Sequence, residues 1–242
     1  MKHTTGIVFI SGAGLNRFLW DELKEMMEHE HPVLIIDSLD DENPAKSDSK
    51  QSLESYLKET VKIIKNWKIN NFIIVAHSVG GVVGLKLARE FKKELKGFVA
   101  ISCVIPKNGQ SFFSALPLSQ RVLYSLLLRF IEVSYVKKIM MTGIFGDLEE
   151  KEAVRIIQAY TKGKKTFFNT NVKYKVPDTD RLYIKLINDR LMSSKVQDTM
   201  IDNFKATKID TLEGGHFPML SNTERLASVL HDFIYNAGAT QI

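Results

Sequence analysis

Six short runs of apolar residues along the chain have the pattern of buried β-strands. They cover residues 6–11, 32–37, 72–77, 97–102, 182–188 and 206–212. The first four are almost continuously apolar, which is typical of strands covered on both faces of a parallel sheet, whereas the last two are more mixed. The pattern therefore predicts a sheet of about six strands.

Helical patterns lie between these runs. Apolar residues recur at spacings of three and four over residues 53–67, and residues 78–90 have the pattern of a second, more fully buried helix. An apolar stripe over residues 226–234 predicts a third helix near the C-terminus. Strands that alternate with helices form right-handed crossovers, so the predicted fold is α/β, with a doubly wound, mostly parallel sheet.

The interval of residues 105–180 breaks this alternation. It has helical patterns near residues 119–141 and 147–160 but no convincing strand, and it is too long for a plain loop. It is therefore either a lid or a second small lobe, and we predict an α/β core of residues 1–104 and 181–242 and a helical lid of residues 105–180. Apolar side chains of this interval indicate either an apolar substrate pocket or packing on the core. They are Phe112, Phe113, Leu116, Val122, Leu123, Leu126, Leu127 and Leu128.

Composition and charge narrow the class of protein. The 242 residues are 44% hydrophobic and 25% charged, as is typical of a folded domain, and the net charge of +5 is too dispersed to predict a nucleic-acid partner. The single cysteine, Cys103, excludes an intrachain disulfide and favours a reducing compartment. Because the chain also lacks an N-terminal signal pattern and a long apolar stretch, we expect a cytoplasmic protein without a membrane span.

The third apolar run leads through the sequence AHSVGG directly into a predicted helix. This is the context of a nucleophile elbow, in which small residues flank the serine because the turn is sharp. Ala76 and Gly80 fill the flanking positions, although the first of them is usually glycine. Ser78 is therefore the predicted nucleophile, and the alternative interpretation is a serine that caps a glycine-rich helix.

A serine hydroxyl needs a base and an orienting carboxylate before it can attack a substrate. Among six histidines, His216 alone lies in a loop after the last strand run, where it would reach the carboxyl edge of the sheet, and His77 is expected to point away from Ser78. Asp189 directly follows the fifth run and is the predicted carboxylate, with Asp37 as the next candidate. The alternatives are a solvated loop histidine and a loop-capping aspartate.

Two backbone N–H groups are predicted to bind an oxyanion in the transition state. One belongs to Val79, which follows the nucleophile. The other belongs to Ala13 in the sequence SGAG after the first strand run, where the glycines let the backbone approach a substrate. The alternative for this second segment is a plain turn. Such a reaction requires no metal and no organic cofactor.

With these motifs the chain resembles the α/β-hydrolase superfamily over nearly its whole length, from GIVFISGAG through VAHSVGG and INDRLM to GGHFPMLSNTERLASVL. Within the superfamily, SGAGLNRFLWDEL and FVAISCVIP are similar to the methylesterase and hydroxynitrile lyase group, although Ser11 stands where these relatives usually have histidine. The resemblance implies a serine esterase that cleaves a carboxylic ester or a related acyl bond through an acyl-enzyme. Its expected substrate is a small, apolar ester.

Two other functions stay open at this point. In the resembling lyases, a threonine in the first loop and a lysine after the catalytic histidine handle the hydroxyl and the departing cyanide of a cyanohydrin. Here these positions are Gly12 and Phe217, and the esterase relatives also carry glycine and an apolar residue there. Both are therefore predicted substrate-binding positions of an esterase. The other alternative is a ligand receptor with slow turnover on the same fold.

Overall fold

The computed structural model describes residues 5–12, 17–36, 53–118, 121, 145–159 and 171–239, to which the structural statements below refer. Its strands are β1 (Gly6–Ile10), β2 (Val33–Ile36), β3 (Phe72–His77), β4 (Leu95–Ile101), β5 (Asp180–Leu186) and β6 (Lys208–Leu212). They form one sheet in the order β2-β1-β3-β4-β5-β6, and all neighbouring strands are parallel. The predicted parallel six-stranded α/β fold is confirmed.

Helices follow most of the strands. After a short 3-10 helix at Arg17–Trp20 come α1 (Asp21–Glu28), α2 (Leu53–Trp67), α3 (Gly80–Glu90), α4 (Phe112–Ala115), α5 (Glu150–Ala159), α6 (Ser194–Phe204), α7 (Pro218–Ser221) and α8 (Thr223–Ala239). Within the described ranges, every helix is too short or too polar to cross a lipid bilayer.

Apolar clusters cover both faces of the sheet. On one face, Val8 and Ile74 belong to a cluster completed by residues of α2, α3 and α6. On the other face, Ile7 and Val75 belong to a cluster completed by residues of α1, α5 and α8. Because successive side chains of a strand point to opposite faces, a strand buried on both sides must be apolar at every position. This explains the continuous apolar runs of the sequence.

In the interval between β4 and β5, the described residues form α4, α5 and one antiparallel bridge that joins Gln110 to Val172. Leu116 is buried in the core and Phe113 packs against it. The helix predicted near residues 119–141 lies almost entirely outside the described residues, as do the lid residues Val122, Leu123, Leu126, Leu127 and Leu128. The division into core and lid stays a prediction.

Candidate active site

The predicted site residues follow different strands, and their positions lie at one edge of the sheet. Ser78 follows β3, Asp189 follows β5, and His216 follows β6. Gly12 lies just after β1 at the same edge. Because all strands are parallel, their carboxyl ends lie together, and this is where α/β sheets form their sites.

Ser78 occupies a tight turn with a backbone φ of +54°, in the left-handed region. A non-glycine residue is strained there, at a cost on the order of 1–3 kcal/mol, and keeps this conformation only where its surroundings hold it in place. The Ser78 N–H donates to the Ile101 carbonyl at 3.1 Å, and the Ser78 carbonyl accepts from Gly81 at 3.2 Å and from Val104 at 3.0 Å. These bonds hold the tight turn between β3 and α3, which is the backbone context of a nucleophile elbow.

Gly80 allows the first turn of α3 to pack against the end of β1. A Cβ atom at this position would lie 2.8 Å from the carbonyl oxygens of both Ile10 and Ser11, which is too close for any side chain. The Ser11 hydroxyl in turn accepts a hydrogen bond from the Trp20 indole N–H at 2.9 Å. The end of β1 is therefore held on both sides, beside the elbow.

Gly12 brings the first loop close to the nucleophile. A Cβ atom on Gly12 would lie 3.2 Å from the Ser78 Cβ and 3.6 Å from the Ser78 Oγ. Val79 is the N-cap residue of α3, so its N–H belongs to the end of the helix that has no intrahelical acceptors. The other predicted donor, Ala13, lies outside the described residues, as does Asp37.

Asp189 and His216 form a buried pair. The His216 Nδ1 lies 2.7 Å from the Asp189 Oδ2. Because an ionised carboxylate can only accept, Nδ1 carries the hydrogen, and the unprotonated nitrogen of the neutral ring is Nε2. This is the tautomer that a general base requires.

Four donors hold the Asp189 carboxylate. Its Oδ1 accepts from the backbone N–H groups of Leu191 at 2.8 Å and Met192 at 2.9 Å. Its Oδ2 accepts from the Ser102 hydroxyl at 2.6 Å as well as from His216. Burial opposes ionisation, but the charge and hydrogen bond of His216, together with the Ser102 and Met192 donors, outweigh it and lower the pKa of Asp189. The aspartate is therefore ionised at neutral pH.

Ser102 is a site residue that sequence reasoning missed. It directly follows β4, is fully buried and has a backbone φ of +40°, with its N–H donating to the Ile184 carbonyl at 3.0 Å. Because β4 pairs with β5, Ser102 lies beside the last residues of β5, and its hydroxyl reaches Asp189, which stands three positions beyond the end of that strand. A hydroxyl at the end of an otherwise apolar run was the available signal.

The sequence predicts that His77 points away from Ser78, and in the structure its ring packs against His216, with the ring centroids 4.6 Å apart. The His77 Nε2 lies 2.7 Å from the backbone carbonyl oxygen of His216 and must donate to it. Burial lowers the pKa of His77 to about 3, so the ring is neutral. Its Nδ1 has no hydrogen-bond partner among the described residues, and a Cβ on Gly12 would lie 3.7 Å from it.

Asp147 is another residue near the site that sequence reasoning missed, and it had no sequence signal. It precedes α5, and its Oδ2 accepts the Gly215 N–H at 2.5 Å. A Cβ atom on Gly215 would lie 2.3 Å from the Asp147 Oδ1, so the carboxylate fills the space of a side chain. Gly214 has a φ of +145°, which also favours glycine. The interval between β4 and β5 thus holds the loop that carries His216.

Phe217, the predicted substrate-binding position after His216, is buried among other rings. Its centroid lies 5.2 Å from that of His216, 5.7 Å from that of His77 and 5.4 Å from that of Phe145. The residue therefore makes the surroundings of the His216 ring apolar.

Known proteins with the same architecture include an extracellular α/β-hydrolase from a Paenibacillus species, described as sharing structural and functional homology with tobacco salicylic acid binding protein 2. It has 17% identity and a TM-score of 0.80, over 94% of this chain and 98% of that one. Polyneuridine aldehyde esterase has 17% identity and a TM-score of 0.73, over 95% and 99%. A pyrethroid hydrolase from Sphingobium faniae JZ-2 has 20% identity and a TM-score of 0.71, over 95% and 97%.

These similarities agree with the predicted resemblance at the level of the fold. No curated protein gives a significant sequence match. Because the Paenibacillus protein is extracellular, the fold does not determine location, and a cytoplasmic location stays a prediction. Residues 7–229 match the sequence model of the Alpha/beta hydrolase family. With this match over most of its length, the chain belongs to the α/β-hydrolase family.

Proposed function

We propose that this protein is a hydrolase that cleaves carboxylic esters of small molecules, with Ser78, His216 and Asp189 as its catalytic triad. The observation that carries the proposal is the buried Asp189–His216 pair, joined at 2.7 Å at the sheet edge where the Ser78 elbow also lies. The esterase and the pyrethroid hydrolase with the same fold support this class of reaction.

In the proposed reaction, the His216 Nε2 takes the proton of the Ser78 hydroxyl while the oxygen attacks the ester carbonyl carbon. The imidazolium is stabilised by the ionised Asp189. Collapse of the tetrahedral intermediate breaks the bond to the alkoxy oxygen, which leaves as an alcohol with the proton from His216. A water molecule then attacks the acyl-enzyme by the same proton transfers and releases the carboxylic acid.

The developing oxyanion would be bound by the N–H groups of Val79 and Ala13. The position of Val79 at the start of α3 supports the first donor. The close approach of Gly12 to Ser78 supports the second, because it brings the first loop beside the attacking oxygen.

Gly12 and Phe217 favour ester hydrolysis over cyanohydrin cleavage. A threonine at position 12 would press on Ser78, since even a Cβ there would lie 3.2 Å from the Ser78 Cβ. The buried Phe217 ring beside His216 offers no positive charge for a departing cyanide. The side chains that a lyase uses for its substrate hydroxyl and leaving group therefore have no equivalent at these positions.

The test is a paired assay of p-nitrophenyl acetate and mandelonitrile at equal enzyme concentration. We expect the release of the phenol to exceed that of benzaldehyde, and Ser78→Ala to abolish it. Ser193→Ala, at an exposed position that makes no side-chain capping bond, is the matched control. Faster release of benzaldehyde would favour the lyase, and only a few turnovers on every ester would favour the receptor.

Covalent labelling identifies the nucleophile independently of the measured ester hydrolysis. A fluorophosphonate probe followed by peptide mapping should place the adduct on Ser78, with the same labelling in Ser193→Ala. Labelling that persists in Ser78→Ala would remove Ser78 from the proposal.

A further inference from the structure

A second group of histidine and carboxylate side chains lies at the opposite edge of the sheet. Glu30 and His31 stand in the turn between α1 and β2, and His231 lies on α8. One possible ligand atom from each of the three side chains lies within 4.8 Å of the other two. Within the described ranges, no other set of three histidine, cysteine, aspartate or glutamate side chains is this close.

The ring of His31 has one nitrogen committed to the backbone. Its Nδ1 lies 3.0 Å from the carbonyl oxygen of Thr5, which can only accept, so Nδ1 carries the hydrogen and Nε2 has the free lone pair. Histidines that bind metals commonly donate their other nitrogen to a carbonyl or a carboxylate in this way, because the bond fixes the tautomer and the ring orientation.

The backbone that carries these side chains is also well held. The N–H groups of Glu30 and His31 both donate to the carbonyl of Met27, at 3.2 and 3.0 Å. The side chain of Met27 is fully buried beneath this turn. His231 follows the buried Leu230 on α8, which packs against α1. The ring centroids of His31 and His231 are 5.7 Å apart, so the two imidazoles are neighbours.

We propose that Glu30, His31 and His231 bind one divalent transition-metal ion of the zinc class. Two imidazole nitrogens and one carboxylate oxygen suit such an ion better than magnesium or calcium, which prefer oxygen ligands. Tetrahedral zinc with bonds of about 2.0–2.1 Å needs ligand atoms about 3.4 Å apart. The three atoms would reach that separation through rotation of the exposed Glu30 side chain and small movements of the half-buried rings.

The bound ion would connect the turn before β2 to the C-terminal helix. It would lie at the amino edge of the sheet, whereas Ser78, Asp189 and His216 follow the carboxyl ends of their strands. The ion is therefore no part of the proposed ester hydrolysis, and either proposal can fail without the other. Because the ion binds only the folded arrangement of α1, β2 and α8, it should stabilise the protein by mass action.

The first test is calorimetric titration of zinc into the metal-free, full-length protein. We expect a single equivalent to bind, and His31→Gln and His231→Gln each to weaken its affinity at least about tenfold. Glu30→Gln should weaken it less, since an amide oxygen is a poorer ligand than a carboxylate. His29→Gln is the matched control, because His29 is exposed, lies two positions before His31 and is outside the group.

Thermal unfolding with and without zinc gives a second measurement. Zinc should raise the unfolding temperature of the wild type and of His29→Gln but not of His231→Gln. Circular dichroism of the metal-free variants checks their folding, and His231→Gln decides the question if His31→Gln does not fold. The proposal is overturned if the wild type binds no zinc at millimolar concentration, if both ligand variants bind with unchanged affinity, or if His29→Gln loses affinity equally.

Discussion

The end of β3 and the loop after β6 each carry a buried histidine, and the two rings lie with their centroids 4.6 Å apart. His216 donates to the carboxylate of Asp189, whereas His77 donates to a neutral backbone carbonyl. The carboxylate can stabilise a positive charge on its ring. The carbonyl does not offset burial, which lowers the pKa of His77 to about 3. Burial without a carboxylate as hydrogen-bond partner therefore keeps His77 neutral, whereas the buried His216 faces the carboxylate of Asp189.

The two rings are also close enough for a charge on one to affect the pKa of the other. The neighbouring His216 is the second cause of the low pKa of His77, because two positive rings would repel each other. His77 therefore stays neutral beside His216 at neutral pH. Substitutions around the two histidines can remove this difference or measure it.

The largest effect is expected from Asp189→Asn, which gives His216 a neutral partner like that of His77. Loss of the charge and of the correct tautomer should lower kcat on p-nitrophenyl acetate about 10⁴-fold. Asp202→Asn, at an exposed position on α6, is the control and should leave kcat unchanged. Near-normal activity of Asp189→Asn would indicate that another carboxylate orients His216, with Asp37 as the next candidate.

A displacement of the His216 loop should have the next largest effect. In Gly215→Ala, the new Cβ would lie 2.3 Å from the Asp147 Oδ1, so the loop must move. A shift of about 1 Å can cost roughly a hundredfold in kcat. Asp147→Asn should be nearly normal, because its amide oxygen still accepts the Gly215 N–H.

The double variant Asp147→Ala/Gly215→Ala separates this clash from a general loss of stability. Removing the carboxylate makes room for the new methyl group, so the double variant should be more active than Gly215→Ala alone. The measurement is a double-mutant cycle on kcat. Simple additivity of the two single effects would contradict the contact.

Between pH 7 and pH 5, His77 should cost the protein stability. Its pKa is about 3 in the folded protein and 6.5 in the unfolded chain, so below pH 6.5 the unfolded chain binds the proton first. The full stability is therefore present above pH 6.5 and is lost progressively toward pH 3. At pH 5 the loss is about 2 kcal/mol, roughly a thirtyfold change in the folding equilibrium.

His77→Gln isolates the contribution of His77 to this loss of stability. The glutamine keeps an N–H donor for the His216 carbonyl but cannot titrate. Urea unfolding at pH 8 and pH 5 should show a smaller fall for His77→Gln than for the wild type. His29→Gln, at an exposed position, should fall as the wild type does. Equal falls in all three proteins would show that His77 does not titrate as its burial predicts.

The smallest effect is expected from Ser102→Ala, which leaves the Asp189–His216 pair in place but removes one donor to the carboxylate. A hydrogen bond to a charged group contributes about 1.5–3 kcal/mol. Since three donors remain, we expect a fall in kcat of about tenfold with little change in KM. A change confined to KM, or none beyond that of Ser193→Ala, would limit Ser102 to a packing role.

The fold was predictable because its signals are local. Strands buried on both faces must be apolar throughout, and β3 coincides with its run at residues 72–77. The other strands differ from their runs by a few residues at the ends, where hydrogen bonding rather than hydrophobicity determines the boundary. The candidates Ser78, Asp189 and His216 could also be identified from the sequence, since each stands directly after a strand or in the loop that follows it.

The supporting residues were not predictable to the same extent, because their roles depend on contacts between distant segments. Ser102 lies 87 positions from Asp189, and only the pairing of β4 with β5 brings them together. Asp147 lies 68 positions from Gly215 and precedes a helix that has no motif of its own. His77 was judged from its neighbour in sequence, whereas its partner is 139 positions away.

The contact between Asp147 and Gly215 has a consequence for protein engineering. Exchange of the segment between β4 and β5 is one way to test whether the predicted lid influences substrate preference. Here that segment carries the carboxylate that fills the missing side chain of Gly215. A chimaera that takes a foreign segment without an acidic or amide residue at position 147 leaves a hole beside the His216 loop. Segments for exchange should therefore be selected together with the residue at position 215.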